Sequence, residues 1–584
     1  MRTDPGPISP VSIPWFWLAL LGACVLVYLF GLGSAYAPTN GDEMVYIHIA
    51  RMTAESGHWL PLQSEIVDTR NTKPPLLFWQ AIVAGDWGQH WSLWALRTPS
   101  MVYTLLTTAL LAFFTRRISG SLRAACLAAV LYLLFFSTFR YGRVYLTSAP
   151  ETFWLALPLW WLLWLRLNPQ ENQSPGLVVY TLSGVAIGLG AAYKSFALVA
   201  PAAATLWCAL LWTHSGPDWR TVLRSTLGVA WSSALALGLF ALWFVLDPDP
   251  AAVWQEFVLA ENAGKMSNAQ GYWQAALSGP YPMWTQLLAY PVNAGLLVFT
   301  VLALIWLAFK DVLQRPSWSA LTPAWRIVLI WLAVWLIVFT IPSQRSERYV
   351  IPAMPALAIA MALVWDRIPR IGFWLTLGLL LPALLMVARI GWVMGEIGMA
   401  STTEVAFILI AALAGTTAVV AGFASQYCLR GATLAACLGL YASFQFLVAP
   451  LDASRYSDAL VRQLQGQRVA VPNGFTGQYE RFHFLLPHAR LTPYDAEGRD
   501  TGALRPDLPA AERLPYLLAR FDAVVWLHPN LARTGPACLP QCKLLGARWH
   551  IRSRHKAGEV TLDNLWYPQH WLFGREWLVT LERT

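Results

Sequence analysis

Long apolar runs separated by short polar segments fill most of the chain, and each run is long enough to cross a bilayer as a helix. A membrane span needs about 20 apolar residues, within a range of about 17–25. The first run extends from Ile13 to about Tyr36 and is too long for the apolar core of a signal peptide. The others lie near 98–114, 122–139, 147–165, 177–192, 195–213, 225–246, 288–308, 326–342, 350–365, 371–388, 403–423 and 432–449. The pattern predicts about thirteen transmembrane helices, with the two chain ends on opposite sides of the membrane.

The apolar pattern stops near residue 450, and the remaining residues have the charged-residue content of a soluble domain. Two helix-then-strand units are predicted there, with strands at Arg468–Pro472 and Phe521–Leu527. The predicted fold class is an all-α polytopic membrane domain over residues 1–450, followed by a soluble α/β domain over 451–584.

Composition narrows the class of protein. Hydrophobic residues make up 57% of the chain and charged residues 12%, against roughly 25% charged in soluble domains. A soluble enzyme, a nucleic-acid-binding module and a disordered protein are therefore excluded, and membrane lipids are the predicted surroundings.

The net charge of +9 is interpreted first as an orientation signal, because cytoplasmic loops are rich in Lys and Arg. With the N-terminus inside, the short cytoplasmic loops contain Arg116, Arg117, Arg123, Arg166, Arg220, Arg224, Lys310, Arg315, Arg367, Arg370 and Arg430. The long loops at about 37–97 and 247–287, and the C-terminal domain, are then predicted to be non-cytoplasmic.

Acidic residues follow the first span and begin the fourth. Asp42 and Glu43 open a predicted amphipathic interfacial helix with Tyr46 on the Asp42 side, and Glu151 follows Pro150. Capping of a helix start explains each acid alone. Together they can converge on one pocket at the membrane face, as general-base chemistry on a lipid-linked substrate requires.

Basic residues occur in matching places on the same predicted face, although the positive-inside bias disfavours them there. The candidates are Lys73, Arg143, Lys194 and Arg348. Snorkelling to the interface explains any one of them. Their joint function is predicted to be the binding of a phosphate or pyrophosphate on a lipid.

Two of the seven cysteines, Cys538 and Cys542, lie in the soluble tail. They are predicted to form a disulfide if the tail faces an oxidising compartment. A zinc pair is the alternative, with His550 and His555 as the only close partners.

Several short motifs in this order carry a family resemblance: Gly41-Asp-Glu43, Lys73-Pro-Pro-Leu76, Pro150-Glu151, Tyr193-Lys-Ser195 and Arg348-Tyr-Val-Ile-Pro352. The chain resembles the bacterial members of the protein-mannosyltransferase superfamily, and most of all the aminoarabinose lipid A transferases of the GT-C class. The resemblance covers roughly residues 10–450. It implies an inverting transfer of a sugar from a polyprenyl-phosphate donor at the outer face of the bacterial inner membrane.

The resemblance also implies roles for individual residues. Asp42 matches the catalytic base or acceptor-positioning acid, and Glu151 matches the second acid. The donor-phosphate residues match Lys73, Lys194, Arg348 and Tyr349, with Arg143 nearby, and Glu43 and Tyr46 are expected to face the acceptor. Val45 departs from the pattern, because the aminoarabinose enzymes have arginine there. The departure leaves the sugar and the acceptor open.

The predicted partners are a polyprenyl-phosphate sugar donor and a lipid or glycan acceptor, with lipid A or another envelope glycolipid preferred, and the chain is expected to act as a monomer. No nucleotide-binding loop and no certain cofactor are predicted, and a divalent-metal requirement stays open. The 247–287 loop, with Glu261, is expected to cover the pocket or else to be an ordinary surface loop. The alternatives are a protein O-mannosyltransferase-like enzyme and a polyprenyl-lipid transporter or flippase.

Overall fold

Helices build most of the molecule. The computed structural model describes residues 14–34, 41–66, 69–168, 175–213, 218–265, 271–314, 321–473, 477–494, 509–528, 536, 542–551, 557–559 and 561–582. Helices in its first half are α1 Pro14–Leu29, α2 Gly41–Glu55, α3 Leu76–Ala84, α4 Leu93–Ser119, α5 Leu122–Leu134, α6 Phe136–Tyr141, α7 Ser148–Leu167, α8 Leu177–Lys194, α9 Val199–Trp212, α10 Trp219–Leu246 and α11 Pro250–Val253.

The second half of the membrane domain continues with α12 Tyr272–Ser278, α13 Met283–Leu287, α14 Ala289–Ala294, α15 Val298–Gln314, α16 Pro323–Thr340, α17 Met354–Val364, α18 Arg370–Glu396, α19 Thr402–Ala424 and α20 Leu429–Ala453. A π-helix, Trp254–Asn262, follows α11, and a 3-10 helix, Glu347–Ala353, precedes α17. Local signals set many ends. Ser92, for example, accepts a hydrogen bond from the Ala95 N–H at the start of α4, and Gly120 ends that helix with a φ of 69°.

The apolar runs of the sequence become helices. Each of the thirteen predicted spans coincides with one helix or with two or three consecutive helical segments. Nine helices in the described residues are long and apolar enough to cross a membrane, and three more apolar helices are shorter. The polytopic helical fold is confirmed, and the number thirteen stays a prediction.

Small residues allow the long helices to pack closely. At the crossing of α19 and α20, a Cβ added to Gly439 would lie 2.6 Å from the Gly415 Cα. Glycines at such crossings let backbones approach, and van der Waals packing is a main source of helix association within a bilayer.

A five-stranded sheet forms the C-terminal domain. The strands are β1 Arg468–Pro472, β2 Arg490–Tyr494, β3 Ala523–His528, β4 Cys542–Ile551 and β5 Phe573–Leu581, and the helices are α21 Asp458–Gln463, α22 Phe482–Leu485, α23 Ala510–Leu518 and α24 Leu562–Trp566. The strand order is β2-β1-β3-β5-β4. β1 runs parallel to β2 and to β3, whereas β5 runs antiparallel to β3 and β4. The predicted α/β domain is therefore confirmed, including both helix-then-strand units.

Charged clusters lie at opposite ends of the bundle. The span from Glu347 to Arg367 carries Arg348 at one end and Arg367 at the other. Arg367 Nη2 donates to Asp311 at 2.8 Å, at the end where Arg123 pairs with Asp366 at 2.8 Å. These arginines belong to the set predicted to be cytoplasmic, so the Arg348 end is the predicted periplasmic end.

Candidate functional site

A cavity of about 560 Å³ opens at the Arg348 end of the bundle. Its walls come from α2, the end of α8, the π-helix and the 3-10 helix before α17. Six residues singled out from the sequence line it: Asp42, Tyr46, Lys73, Lys194, Arg348 and Tyr349. Residues from distant parts of the chain thus meet at one site.

Asp42 lies at the start of α2 and faces Arg348. The Arg348 Nη1 donates a hydrogen bond to Asp42 Oδ2 at 3.0 Å. The side chain of Asp42 is 45% exposed, so its carboxylate is open to a substrate. Tyr46 lies one helical turn further along the same face, and burial raises the pKa of its phenol well above the ordinary value. Tyr46 is therefore a neutral hydrogen-bonding group beside the Asp42 side chain.

Lys194 is the last residue of α8. Its Nζ lies 3.0 Å from Glu151 Oε1 and 5.6 Å from the centre of the Tyr349 ring. Glu151 is fully buried behind this lysine and does not line the cavity. The structure thus places Glu151 behind the cavity wall, where it contacts the lysine that covers it. Its predicted role as a second acid stays a prediction.

Lys73 reaches the cavity from the loop before α3. Its Nζ donates to Glu261 Oε1 at 3.0 Å and to the Thr72 carbonyl at 2.7 Å. Glu261 belongs to the π-helix, which widens the backbone and is frequent at functional sites. The 247–287 loop, where it is described, thus supplies a wall of the cavity, and whether it also covers the pocket stays a prediction.

Further contacts fix the π-helix over the loop that carries Lys73. Arg70 pairs with Asp249 at 3.1 Å, and the Asn71 side-chain amide donates to Glu256 Oε2 at 3.0 Å. On the other side, the Ser195 hydroxyl donates to Asn262 Oδ1 at 2.7 Å. Sequence reasoning missed these partners, since loop polar residues without a motif give no pairing signal.

Glu43, which the sequence predicts to face the acceptor, lies away from the cavity. It is fully buried and receives two hydrogen bonds from Arg97, at 2.7 and 2.8 Å. The Tyr145 N–H donates to it as well, at 2.9 Å. Arg97 also donates to the carbonyls of Leu32 and Ser34. The pair therefore joins α2, α4 and the segment that follows α1.

Arg143 also lies away from the cavity. Its guanidinium is buried, donates to the Tyr28 carbonyl at 2.7 Å and to the Phe30 carbonyl, and packs on the Phe139 ring. Arg143 thus caps the carbonyl end of α1, and its predicted contact with the donor phosphate stays a prediction.

Of the two cysteines predicted to form a disulfide, the structure describes one. Cys542 is disulfide-bonded, whereas Cys538 and the alternative ligand His555 lie outside the described residues, so the pairing stays a prediction. Among the residues that the structure describes, no group of three or more His, Cys, Asp and Glu side chains could hold a metal ion.

Comparisons with known proteins show which proteins this chain resembles. A family model described as dolichyl-phosphate-mannose-protein mannosyltransferase matches residues 33–253. An undecaprenyl phosphate-alpha-4-amino-4-deoxy-L-arabinose arabinosyl transferase from Sodalis glossinidius is 27% identical over 59% of this chain and 58% of its own. A protein of the same name from Pectobacterium carotovorum is 26% identical over 64% and 65%. The chain thus spans about three fifths of these relatives.

The fold comparison covers more of the chain. The crystal structure of ArnT from Cupriavidus metallidurans bound to undecaprenyl phosphate superposes with a TM-score of 0.57 and 17% identity, covering 82% of this chain and 85% of that one. The chain therefore has the fold of that ArnT structure. The resemblance drawn from the sequence motifs is confirmed.

Within this fold, the cavity brings charged side chains and apolar surface together. Three cations converge on it, each beside a carboxylate: Lys73 with Glu261, Lys194 with Glu151 and Arg348 with Asp42. Phe196, Leu198, Val258 and Phe339 supply apolar lining. Such a site suits an amphiphile with an anionic head, because cations pair with the head while apolar walls contact the rest.

Proposed function

We propose that this protein transfers a sugar from a polyprenyl-phosphate donor to an acceptor in the cell envelope, at the outer face of the inner membrane. The observation that carries the proposal is the cavity in which Lys73, Lys194 and Arg348 meet Asp42. The names of the relatives, which describe undecaprenyl-phosphate-dependent arabinosyl transfer, support the donor class.

The cations bind the donor phosphate. A phosphate oxygen replaces or joins the carboxylate partner of each cation, and charge-assisted hydrogen bonds hold it. As the bond between the sugar C1 and the phosphate oxygen breaks, negative charge develops on the leaving polyprenyl phosphate. Cations already in place stabilise that charge without reorganisation.

Asp42 acts on the acceptor. The acceptor oxygen attacks C1 from the side opposite the leaving phosphate, so the new bond has inverted configuration. Asp42 takes the proton of an acceptor hydroxyl. If the acceptor is an ionised phosphate, no proton moves and Asp42 only positions the acceptor. Asp42 is 45% exposed beside Arg348 at 3.0 Å, which suits both roles.

The candidate transferase activities differ in their acceptor, which is either a lipid or a protein. The arabinosyl transferase names favour a lipid acceptor such as lipid A, whereas the matching family model is described as a protein mannosyltransferase. We propose the lipid acceptor, because the named relatives cover a larger share of the chain than the family model, at 59% and 64%.

Lipid mass spectrometry of cells with and without the gene tests the proposal. Loss of a mass equal to one sugar residue from an envelope lipid, restored by the wild-type gene and not by Asp42→Asn, is the expected result. Unchanged lipids together with the loss of a glycan from an envelope protein would favour the protein-mannosyltransferase alternative. Accumulation of the polyprenyl-linked donor on either side of the membrane, without any change in acceptors, would favour a transporter.

A further inference from the structure

The C-terminal domain touches the helix that carries Asp42. Gly477, just before the 3-10 helix Gln478–Arg481, lies directly against Val45 on α2. A Cβ added at Gly477 would lie 2.8 Å from Val45 Cγ2 and 3.1 Å from the Val45 Cα. Val45 also lines the cavity. The C-terminal domain therefore contacts the wall of the site at Gly477.

A buried charged cluster continues this contact along α2. Glu480 is fully buried and accepts hydrogen bonds from Arg51 Nε at 2.6 Å and from Arg51 Nη2 at 3.1 Å. His48 Nδ1 lies 3.1 Å from Glu480 Oε2 and 3.2 Å from the Tyr479 hydroxyl. These residues are separated by more than 400 positions in the sequence, so the cluster holds two distant segments together.

The hydrogen-bond partners of His48 determine which ring nitrogen carries the proton. The backbone N–H of Glu65 donates to His48 Nε2 at 3.1 Å, so Nε2 is an acceptor. The ring proton is then on Nδ1 and points to Glu480. His48 thereby links the C-terminal domain to the outer loop after α2 as well.

The residues of α2 that contact the C-terminal domain begin at the cavity and turn away from it along the helix. Val45, His48 and Arg51 recur every three residues, and because three residues turn a helix by about 300°, each lies further round from the cavity side than the last. Asp42 and Tyr46 lie on the cavity side, and Val45 both lines the cavity and contacts the C-terminal domain. A shift of the docked domain would therefore move α2 and, with it, the carboxylate of Asp42.

We infer that the C-terminal domain positions Asp42 for catalysis by clamping α2, with Gly477 and Glu480 as positioning residues. The catalytic meaning of this inference rests on the proposed sugar transfer, and the clamp itself does not. A displacement of a catalytic group by about 1 Å can lower a rate about 100-fold, so even a small shift of α2 is measurable.

The chain offers a matched pair of glycine variants. Gly477 and Gly466 lie in the same domain with φ of 76° and 72°, and a Cβ at Gly466 meets nothing within 4 Å. Alanine is strained by the positive φ at both positions, but only at position 477 does its methyl group press on α2. Gly477→Ala is expected to lower kcat at least about tenfold below Gly466→Ala, with equal affinity for polyprenyl phosphate in the two variants.

Amide hydrogen exchange of α2 in the full-length protein gives a second readout that needs no activity. Faster exchange over residues 42–55 in Gly477→Ala than in Gly466→Ala is expected. Equal kcat and equal exchange in the two variants would overturn the inference. If the wild-type protein transfers no sugar, the proposed function fails, and the exchange comparison still decides whether the domain clamps α2.

Substitutions of the two acids that pair with Arg51 test the cluster. Glu480→Gln removes the buried charge. Glu55→Gln removes the exposed partner of the same arginine, a residue of α2 whose Oε1 lies 2.8 Å from Arg51 Nη1. Glu480→Gln is expected to reproduce the lower kcat and faster α2 exchange of Gly477→Ala. Glu55→Gln should resemble wild type, because exposed pairs contribute little. An identical result for both variants would remove Glu480 from the positioning role.

Discussion

Adjacent acids at the start of α2 have opposite surroundings. Asp42 is 45% exposed in the cavity, and Glu43 is fully buried against Arg97. A helix turns about 100° per residue, so neighbouring side chains face different sides. One acid is thus available for chemistry while the next holds α2 to α4.

Asp42→Asn preserves the size of the side chain and removes its charge. We expect transfer to fall roughly 10²–10⁴-fold, because a general base contributes about that much. The melting temperature should stay close to that of wild type, and polyprenyl phosphate should still bind through the cations. Turnover in detergent with a thermal-shift control measures both, and wild-type turnover by a folded variant would exclude Asp42 as the base.

Glu43→Gln should show the reverse pattern. Breaking a buried ion pair leaves the charge of Arg97 uncompensated, which costs about 3–5 kcal/mol in typical cases. We expect a clearly lower free energy of unfolding in denaturant titration, with turnover per folded molecule closer to wild type than in Asp42→Asn. A stable Glu43→Gln protein that has lost catalysis would contradict the roles assigned to the two acids.

At the scale of elements, α2 connects the membrane bundle, the cavity and the C-terminal domain. The contacts of Glu480 with His48 and Arg51 join α2 to the C-terminal domain. Burial alone would raise the pKa of Glu480, but hydrogen bonds from His48 and Arg51 outweigh it and lower the pKa to about 2 from an ordinary 4.5. The ionised carboxylate is therefore the form that holds the domain to α2.

This depressed pKa predicts a pH dependence of stability. A carboxyl with a lower pKa in the folded state stabilises the protein fully above its unfolded pKa, and the effect is lost as pH falls through the folded pKa. The difference in melting temperature between wild type and Glu480→Gln should stay constant above about pH 5 and narrow toward pH 2. A gap that widened on acidification would contradict the ionised state of Glu480.

The sequence predicted the helices and strands well, but it predicted less well which side chains contact each other. Apolar runs predicted the spanning helices because burial in lipid demands both length and hydrophobicity. The choice between Asp42 and Glu43 as the cavity acid, and the structural role of Arg143, depended on which side of a helix each residue faces after packing. The contact of Glu480 with His48 joins residues 432 positions apart, and no local pattern marks such a pair.

At the scale of the whole molecule, the charges divide between the two ends of the bundle. Arg123, Arg367 and Arg430 contact Asp366, Asp311 and backbone carbonyls at one end, whereas the cavity and the C-terminal domain lie at the other. Positive loops stay on the cytoplasmic side, so the cavity end is predicted to be periplasmic.

Reporter fusions test that sidedness. A periplasm-dependent reporter joined after residue 460 should be active, and a cytoplasm-dependent reporter at the same position should be silent. A fusion in the loop between α4 and α5, near Arg117, serves as the opposite control. A cytoplasmic signal after residue 460 would contradict both the orientation and a periplasmic reaction.

The central claim is that this protein moves a sugar off a polyprenyl phosphate. Its most direct test is a reaction of the purified protein with a polyprenyl-phosphate sugar and a lipid A acceptor in detergent, followed by mass analysis of both lipids. We predict that polyprenyl phosphate is released in equal amount with an acceptor heavier by one sugar residue, and that Asp42→Asn reduces both products together. An intact donor and an unmodified acceptor after incubation with folded wild-type protein, over a panel of sugars and lipid acceptors, would contradict the account.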